Sequence, residues 1–280
     1  GEVNRVMREQ ATTYQLRRYP DNTMWALKVS SPGYRDPQIV QKTERLQQFQ
    51  HLPGLRAANR LCLTRALFPE LLNAYPALEF AVLMPWILGP TWAGFMDDAN
   101  ISASYTMQQA LELALTVAHM LWSLETNHLT HTDVAGDNVV VINPRRAELI
   151  DVDGLYIHGT PIPAQPSRGW RGYQHRNLDQ RGNCRPDGDR YAGAILLTEI
   201  LTWWKPLVRA LTDGDSFFQL GNQEQQELLA RRIKAVRATL REMHPCLQQL
   251  FDRAWSSNDP SECPDFATWV MSLLQARAGY

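Results

Sequence analysis

The sequence predicts an α+β protein of two lobes: a small β-rich N-terminal lobe with one helix, and a larger α-helical C-terminal lobe. Three observations lead there. Short runs with strand character stop near residue 84. A stretch broken by Pro85, Gly89 and Pro90 follows and reads as a hinge. Beyond it, apolar residues recur with helical period over long segments. The expected division is 1–87 and 88–280, and 280 residues suffice for two lobes with a sizeable core.

Met24-Trp25-Ala26-Leu27-Lys28-Val29 has strand character. Asp36-Pro37 then gives a helix start, with Asp as N-cap and Pro at the first helical position. That helix is expected over residues 37–50, with Ile39, Val40, Leu46 and Phe49 inward. Leu61-Cys62-Leu63 and Phe80-Ala81-Val82-Leu83-Met84 are two further strands, and Pro85, which has no N–H, closes the second. Residues 107–124 are apolar nearly all round, the mark of a buried helix. Val139-Val140-Val141 and Leu149-Ile150 form a strand pair turning at Asn143-Pro144. Residues 155–188, rich in Gly, Pro and Arg, are irregular and too long for a plain connection. Helices over 191–204, 223–243, 245–255 and 264–275 complete the chain.

Hydrophobic content of 44% with 20% charged residues indicates a globular chain rather than a disordered one. A net charge of -1 gives no electrostatic reason to expect nucleic acid or an anionic membrane as partner. The apolar runs are far shorter than a membrane span, and Gly1-Glu2-Val3-Asn4-Arg5 lacks the pattern of a signal peptide, so a cytoplasmic location is expected. Cys62, Cys184, Cys246 and Cys263 are scattered, which argues for reduced thiols and against zinc.

The chemistry is concentrated in His131-Thr132-Asp133-Val134-Ala135-Gly136-Asp137-Asn138, followed by Asp151-Val152-Asp153-Gly154. Phosphoryl transfer needs metal to neutralise phosphate, a cation on the phosphates, and a carboxylate to orient the attacking hydroxyl. Asp133 suits the last role. Asn138 and Asp151 are oxygen ligands of the kind Mg²⁺ (or Mn²⁺) takes, and the strand pair between them returns one beside the other. Lys28 suits the α- and β-phosphates of ATP, with Glu44 fixing its ammonium from the helix behind. Asp153 reads as an exposed turn acid. Arg231, Arg232, Lys234, Arg237 and Arg241 read as the solvated face of an amphipathic helix.

On these residues the chain resembles the protein-kinase fold over nearly its whole length, in the style of bacterial eukaryotic-like kinases. Ala26-Leu27-Lys28 resembles the Val-Ala-Ile-Lys strand, and His131-Thr132-Asp133 with Asn138 resembles the His-Arg-Asp catalytic loop. Asp151-Val152-Asp153 stands where Asp-Phe-Gly belongs, with Gly154 one place late. Glu44 matches the helix-C glutamate in position, and Gly1-x-Val3 resembles the tail of the Gly-rich loop, whose earlier glycines and first strand would precede Gly1. The resemblance implies nucleotide contacts from Gly1, Val3, Ala26, Lys28, Glu44 and Val140. It makes Met84 the gatekeeper and Pro85-Trp86-Ile87 the hinge that bonds adenine. Gly169-Trp170-Arg171-Gly172-Tyr173 resembles the stretch before Ala-Pro-Glu. Asp189-Arg190-Tyr191-Ala192 resembles the start of helix F, whose aspartate would brace the catalytic loop. Asp259-Pro260-Ser261-Glu262-Cys263-Pro264 resembles the Asp-Pro-x-x-Arg-Pro turn. In family terms His131 holds backbone and does no chemistry.

Four positions depart from the family. Thr132 replaces the arginine that would receive an activation-segment phosphate, and Ala135 replaces a lysine that would touch the γ-phosphate. Asn177 and Cys263 replace the two members of a buried ion pair. Losing both is far less costly than losing one. The expected function is Mg-ATP-dependent transfer to a protein hydroxyl, Ser or Thr, without activation-segment phosphorylation. The alternatives are a pseudokinase acting as a nucleotide-binding module and a small-molecule kinase of aminoglycoside-phosphotransferase type.

Overall fold

A computed structural model describes residues 5–7, 11–212, 218 and 223–279. The fold is α+β, with antiparallel strands gathered toward the N-terminus and helices toward the C-terminus. It divides into two compact units. The first holds Gly1–Leu88 together with Glu148–Asp153, and the second holds Gly89–Ala147 and Gly154–Tyr280. The expected division at 87/88 takes no account of this return, because a six-residue excursion leaves no compositional boundary.

In the first unit, strands β1 (Arg5–Met7), β2 (Ala11–Arg17) and β3 (Met24–Ser30) precede helix α1 (Ile39–Gln47). Strand β4 (Leu61–Cys62), helix α2 (Pro69–Ala74) and strand β5 (Val82–Pro85) follow. The sheet is antiparallel with order β1-β2-β3-β5-β4. Ala26 lies opposite Met84 and Lys28 opposite Val82. Side chains alternate along a strand, so these four share one face.

Helix α1 starts at Ile39, after a turn in which the Asp36 carboxylate accepts the N–H of Gln38 (2.9 Å). Its buried side is Thr43 and Leu46. The unit carries a second helix where one was expected. Helix α2 has Pro69 in its first turn and buries only Leu72, and its six residues are too few to show a helical period.

The second unit opens with helices α3 (Trp92–Asp97), α4 (Ala99–Ala103) and α5 (Met107–Thr126). Short strands β6 (Leu129–Thr130), β7 (Val139–Asn143), β8 (Arg146–Leu149) and β9 (Tyr156–Ile157) follow, the chain passing to the first unit at Glu148 within β8. Helices α6 (Arg190–Thr202), α7 (Pro206–Ala210), α8 (Gln223–Met243), α9 (Pro245–Ser256) and α10 (Phe266–Ala278) complete it. β6 pairs with β9, inside the stretch expected to be irregular. Two residues per strand are too few for a pattern.

Helix α5 begins at a capping box of Thr106 and Gln109 and packs on α6 and α10. Residues 192–202 of α6 are all buried. Along α8, Arg231, Lys234, Arg237 and Arg241 are exposed as expected. Arg232 is buried and donates to the Leu211 carbonyl (2.7 Å), since its position falls on the inward side beside Ile233. Gly89 has φ +141, and a Cβ there would lie 2.6 Å from the Val141 carbonyl oxygen, so only glycine fits. Among the described residues, no helix is long and apolar enough to cross a membrane.

Candidate functional site

The first unit assembles a charged cluster from three separate stretches of sequence. Lys28 Nζ on β3 donates to Asp151 Oδ1 (2.6 Å) and to Asp153 Oδ2. Arg60 Nη1 donates to Asp153 Oδ1. Arg60 has a fully buried side chain, while Lys28, Asp151 and Asp153 are 21%, 26% and 26% exposed. The segment bearing the carboxylates is fixed by Leu149 N–H to Gly54 O (2.8 Å) and by Arg56 N–H to Glu148 Oε2 (3.2 Å).

Burial alone would pull the Lys28 ammonium down, but the carboxylates of Asp153 and Asp151 outweigh it and its pKa is raised. Burial likewise opposes ionisation of Asp153, yet Arg60 and Lys28 hold its carboxyl well below the usual range. Asp151 adopts φ +56, a left-handed conformation that Asp tolerates better than most residues.

Two expectations are corrected here. Glu44 does not clamp Lys28: it is exposed on α1. Thr43 turns inward, and one residue further along a helix is about 100° round the axis, which carries Glu44 toward solvent. Asp153 is not an exposed turn acid but the bridge between Lys28 and Arg60. Helix α1 contributes Lys42 near this cluster instead. Burial lowers its pKa against the pull of Asp153.

Ala26 and Met84 are buried opposite each other, and Arg60 Nη2 lies 3.2 Å from Met84 Sδ. Pro85 is half-buried and Ile87 buried. The Trp86 N–H donates to the Met24 carbonyl (3.1 Å) and Pro85 has no N–H, so of this stretch only Ile87 keeps an N–H for another acceptor. Gly1 and Val3 lie outside the described residues.

In the second unit, the 131–138 loop is built around Asp189. Its carboxylate accepts the backbone N–H groups of His131 (2.5 Å) and Thr132 (2.9 Å). Burial pushes the Asp189 carboxyl up to about 6, with His131 and the two N–H groups opposing. Thr132 has φ +72, which is strained for a β-branched residue. Three bonds hold it there: Asn183 Nδ2 (2.8 Å) and Ser167 Oγ (3.1 Å) donate to its carbonyl, and its Oγ1 donates to Gly154 O (3.0 Å). His131 is fully buried, in keeping with a structural role. Val140 is buried in β7.

Asp133 is half-buried, and its carbonyl and Oδ2 accept from Asn138 Nδ2 (2.8 and 3.1 Å). That fixes the amide so that Asn138 Oδ1 is buried and accepts no hydrogen bond. A buried carbonyl oxygen without a donor is the kind of group a hard cation takes. Among the described residues, no three His, Cys, Asp or Glu side chains gather as a metal cluster.

The segment after β9 is secured in its own way. Arg185 pairs bidentately with Asp187 (2.5 and 2.9 Å) and reaches Asp259 (2.7 Å). Asn177 Nδ2 donates to Asn258 O (3.0 Å), and His175 Nε2 is 3.1 Å from Ser257 Oγ. Cys263 is buried, with its thiol pushed up to about 11 by burial. Tyr173 Oη donates to Glu199 Oε2 (2.5 Å) inside the core, and burial pushes the Glu199 carboxyl up to about 7. Sequence reasoning missed Arg60 and Glu199. Nothing marks Arg60 in its local sequence, whereas Glu199 stands as a lone acid in an apolar helix.

No protein-family model matches the chain, and no curated protein matches it at a significant level.

Proposed function

We propose that the chain is an ATP-dependent protein kinase that transfers the γ-phosphate of Mg-ATP to a Ser or Thr hydroxyl of a protein. The observation that carries the reading is the 2.6 Å pairing of Lys28 with Asp151. The sequence motifs name these two residues separately, 123 positions apart, as phosphate cation and metal ligand. The bracing of the 131–138 loop by Asp189 and the open acceptor on Asn138 support it further. In this reading Asp133 orients the acceptor hydroxyl, Lys28 holds the α- and β-phosphates, and Ile87 supplies the adenine contact. Asn138 and Asp151 would hold the divalent cation, which neutralises charge on the phosphates when bound.

The test is Mg²⁺-dependent transfer of labelled γ-phosphate by the wild type, Asp133→Asn and Asp151→Asn. Asp151→Asn is expected to lose metal-dependent nucleotide binding. Asp133→Asn is expected to bind normally and to lose at least about 100-fold in turnover. Equal turnover by all three sinks the assignment. The replacement of the catalytic-loop lysine by buried Ala135 favours one second reading, a nucleotide-binding module without transfer. Thermal stabilisation by ATP with no transfer by wild type would select it. Transfer to small molecules but never to protein would select a small-molecule kinase.

A further inference from the structure

We propose that Asp153, anchored by Arg60, is the positioning residue for Lys28, and that Glu44 of α1 takes no part in holding that lysine. The proposal rests on the nucleotide reading above and assigns one more pair of residues to the same site.

Four observations carry it. Asp153 uses both carboxylate oxygens, one on Lys28 and the other on Arg60. Arg60 cannot turn away, because its side chain is fully buried and its Nε also donates to Ala57 O (3.1 Å). A guanidinium so placed fixes the carboxylate plane, since moving either partner strands a buried charge. Glu44, the acid that α1 has available, faces solvent.

The division of labour follows from charge. Asp151 is the carboxylate assigned to the metal. A carboxylate that turns toward a divalent cation gives up part of its hold on an ammonium. Asp153 is assigned no cation, so it would stay on Lys28 if Asp151 turned to one. The clamp is carried by the Glu148–Asp153 segment and the loop before β4, both within the first unit. Helix α1 meets the clamp at its base, where Gln47 Nε2 donates to the Arg60 carbonyl (2.5 Å).

The test is competitive acetylation of the intact protein with trace acetic anhydride, with labelling at Lys28 read by mass spectrometry. Asp153→Asn alone leaves Arg60 without its counter-ion, so the informative variant is Asp153→Asn/Arg60→Met. Freed of its carboxylate anchor, the Lys28 side chain swings out to the reagent, so Lys28 labelling in that variant should rise several-fold over wild type. Its KM for Mg-ATP should rise about tenfold as well, with a smaller change in kcat. Glu44→Gln should leave both readouts within about twofold of wild type. Unchanged Lys28 labelling in the double variant overturns the proposal, as does increased labelling in Glu44→Gln. Glu44 is exposed, so the second arm stands whether or not the double variant folds. Failure of Mg-ATP to protect Lys28 in the wild type overturns the nucleotide reading and the proposal's link to catalysis. The labelling contrast without nucleotide then reports on the clamp by itself, which separates the two failures.

Discussion

A single carboxylate, Asp189, sets the shape of the 131–138 loop by accepting two consecutive backbone N–H groups. Without it those donors are buried and unsatisfied, at about 1–3 kcal/mol each. Asp189→Ala is therefore expected to lower the unfolding free energy by about 2–5 kcal/mol, read by urea denaturation, and to release Thr132 from its left-handed conformation. A loss under about 0.5 kcal/mol contradicts the bracing role. At this scale the sequence is informative where chemistry repeats at fixed spacing. Asp133, Asn138 and Asp151 stand out for that reason, and Asp189 for its place in the Asp189-Arg190-Tyr191-Ala192 run. Arg60 is not, because its meaning comes from meeting Asp153, 93 positions away. Glu44 misleads for the complementary reason: spacing places it on the right helix, but that helix buries the side bearing Thr43 and Leu46.

Helix α6 illustrates what an element can hold. Its apolar sequence makes it the centre of the second unit, and Glu199 sits within it against Tyr173. The folded carboxyl titrates at about 7, above its ordinary 4.5. Between those values the folded state holds a proton that the unfolded state has released. Stability is therefore greatest below about 4.5 with respect to this group, falls as pH rises, and levels off above about 7. Asp189, at about 6 from 3.8, contributes with the same sign at lower pH. Wild type should lose about 2–3 kcal/mol more than Glu199→Gln between pH 5 and pH 8. Parallel urea-denaturation profiles across that range refute the assignment. The long helices are readable from apolar length in α5 and α6 and from period in α8, which begins and ends where its amphipathic pattern does. The two-residue strands β6 and β9 and the short α2 are not, since so few residues carry no period and only their partners define them.

Across the whole molecule, the segment after β9 is held by its own side chains. Ser167 bonds the Thr132 carbonyl, Thr160 Oγ1 donates to Ile157 O (2.7 Å), and the Tyr173 hydroxyl is buried on Glu199. Arg185, Asp187 and Asp259 tie the same region to the turn before α10. Phosphatase treatment is accordingly expected to leave the proposed phosphotransfer within about twofold, as are Thr160→Ala and Ser167→Ala. Abolition by phosphatase would show that the segment is switched after all. The fold class is legible at this scale because sheet and helix patterns are segregated along the chain. The return of Glu148–Asp153 to the first unit is not, because pairing across long sequence separations leaves no local trace.

That return has a consequence for synthesis. Lys28 and Arg60 leave the ribosome with the first unit, but Asp151 and Asp153 follow only after the whole of Gly89–Ala147. At ordinary translation rates the delay is on the order of several seconds. During that interval two cations destined for the interior lack their counter-ions and must stay hydrated. The sheet is thus made early and its charge balance late, so the charges on its inner face are neutralised only when the segment that ends β8 and follows it arrives.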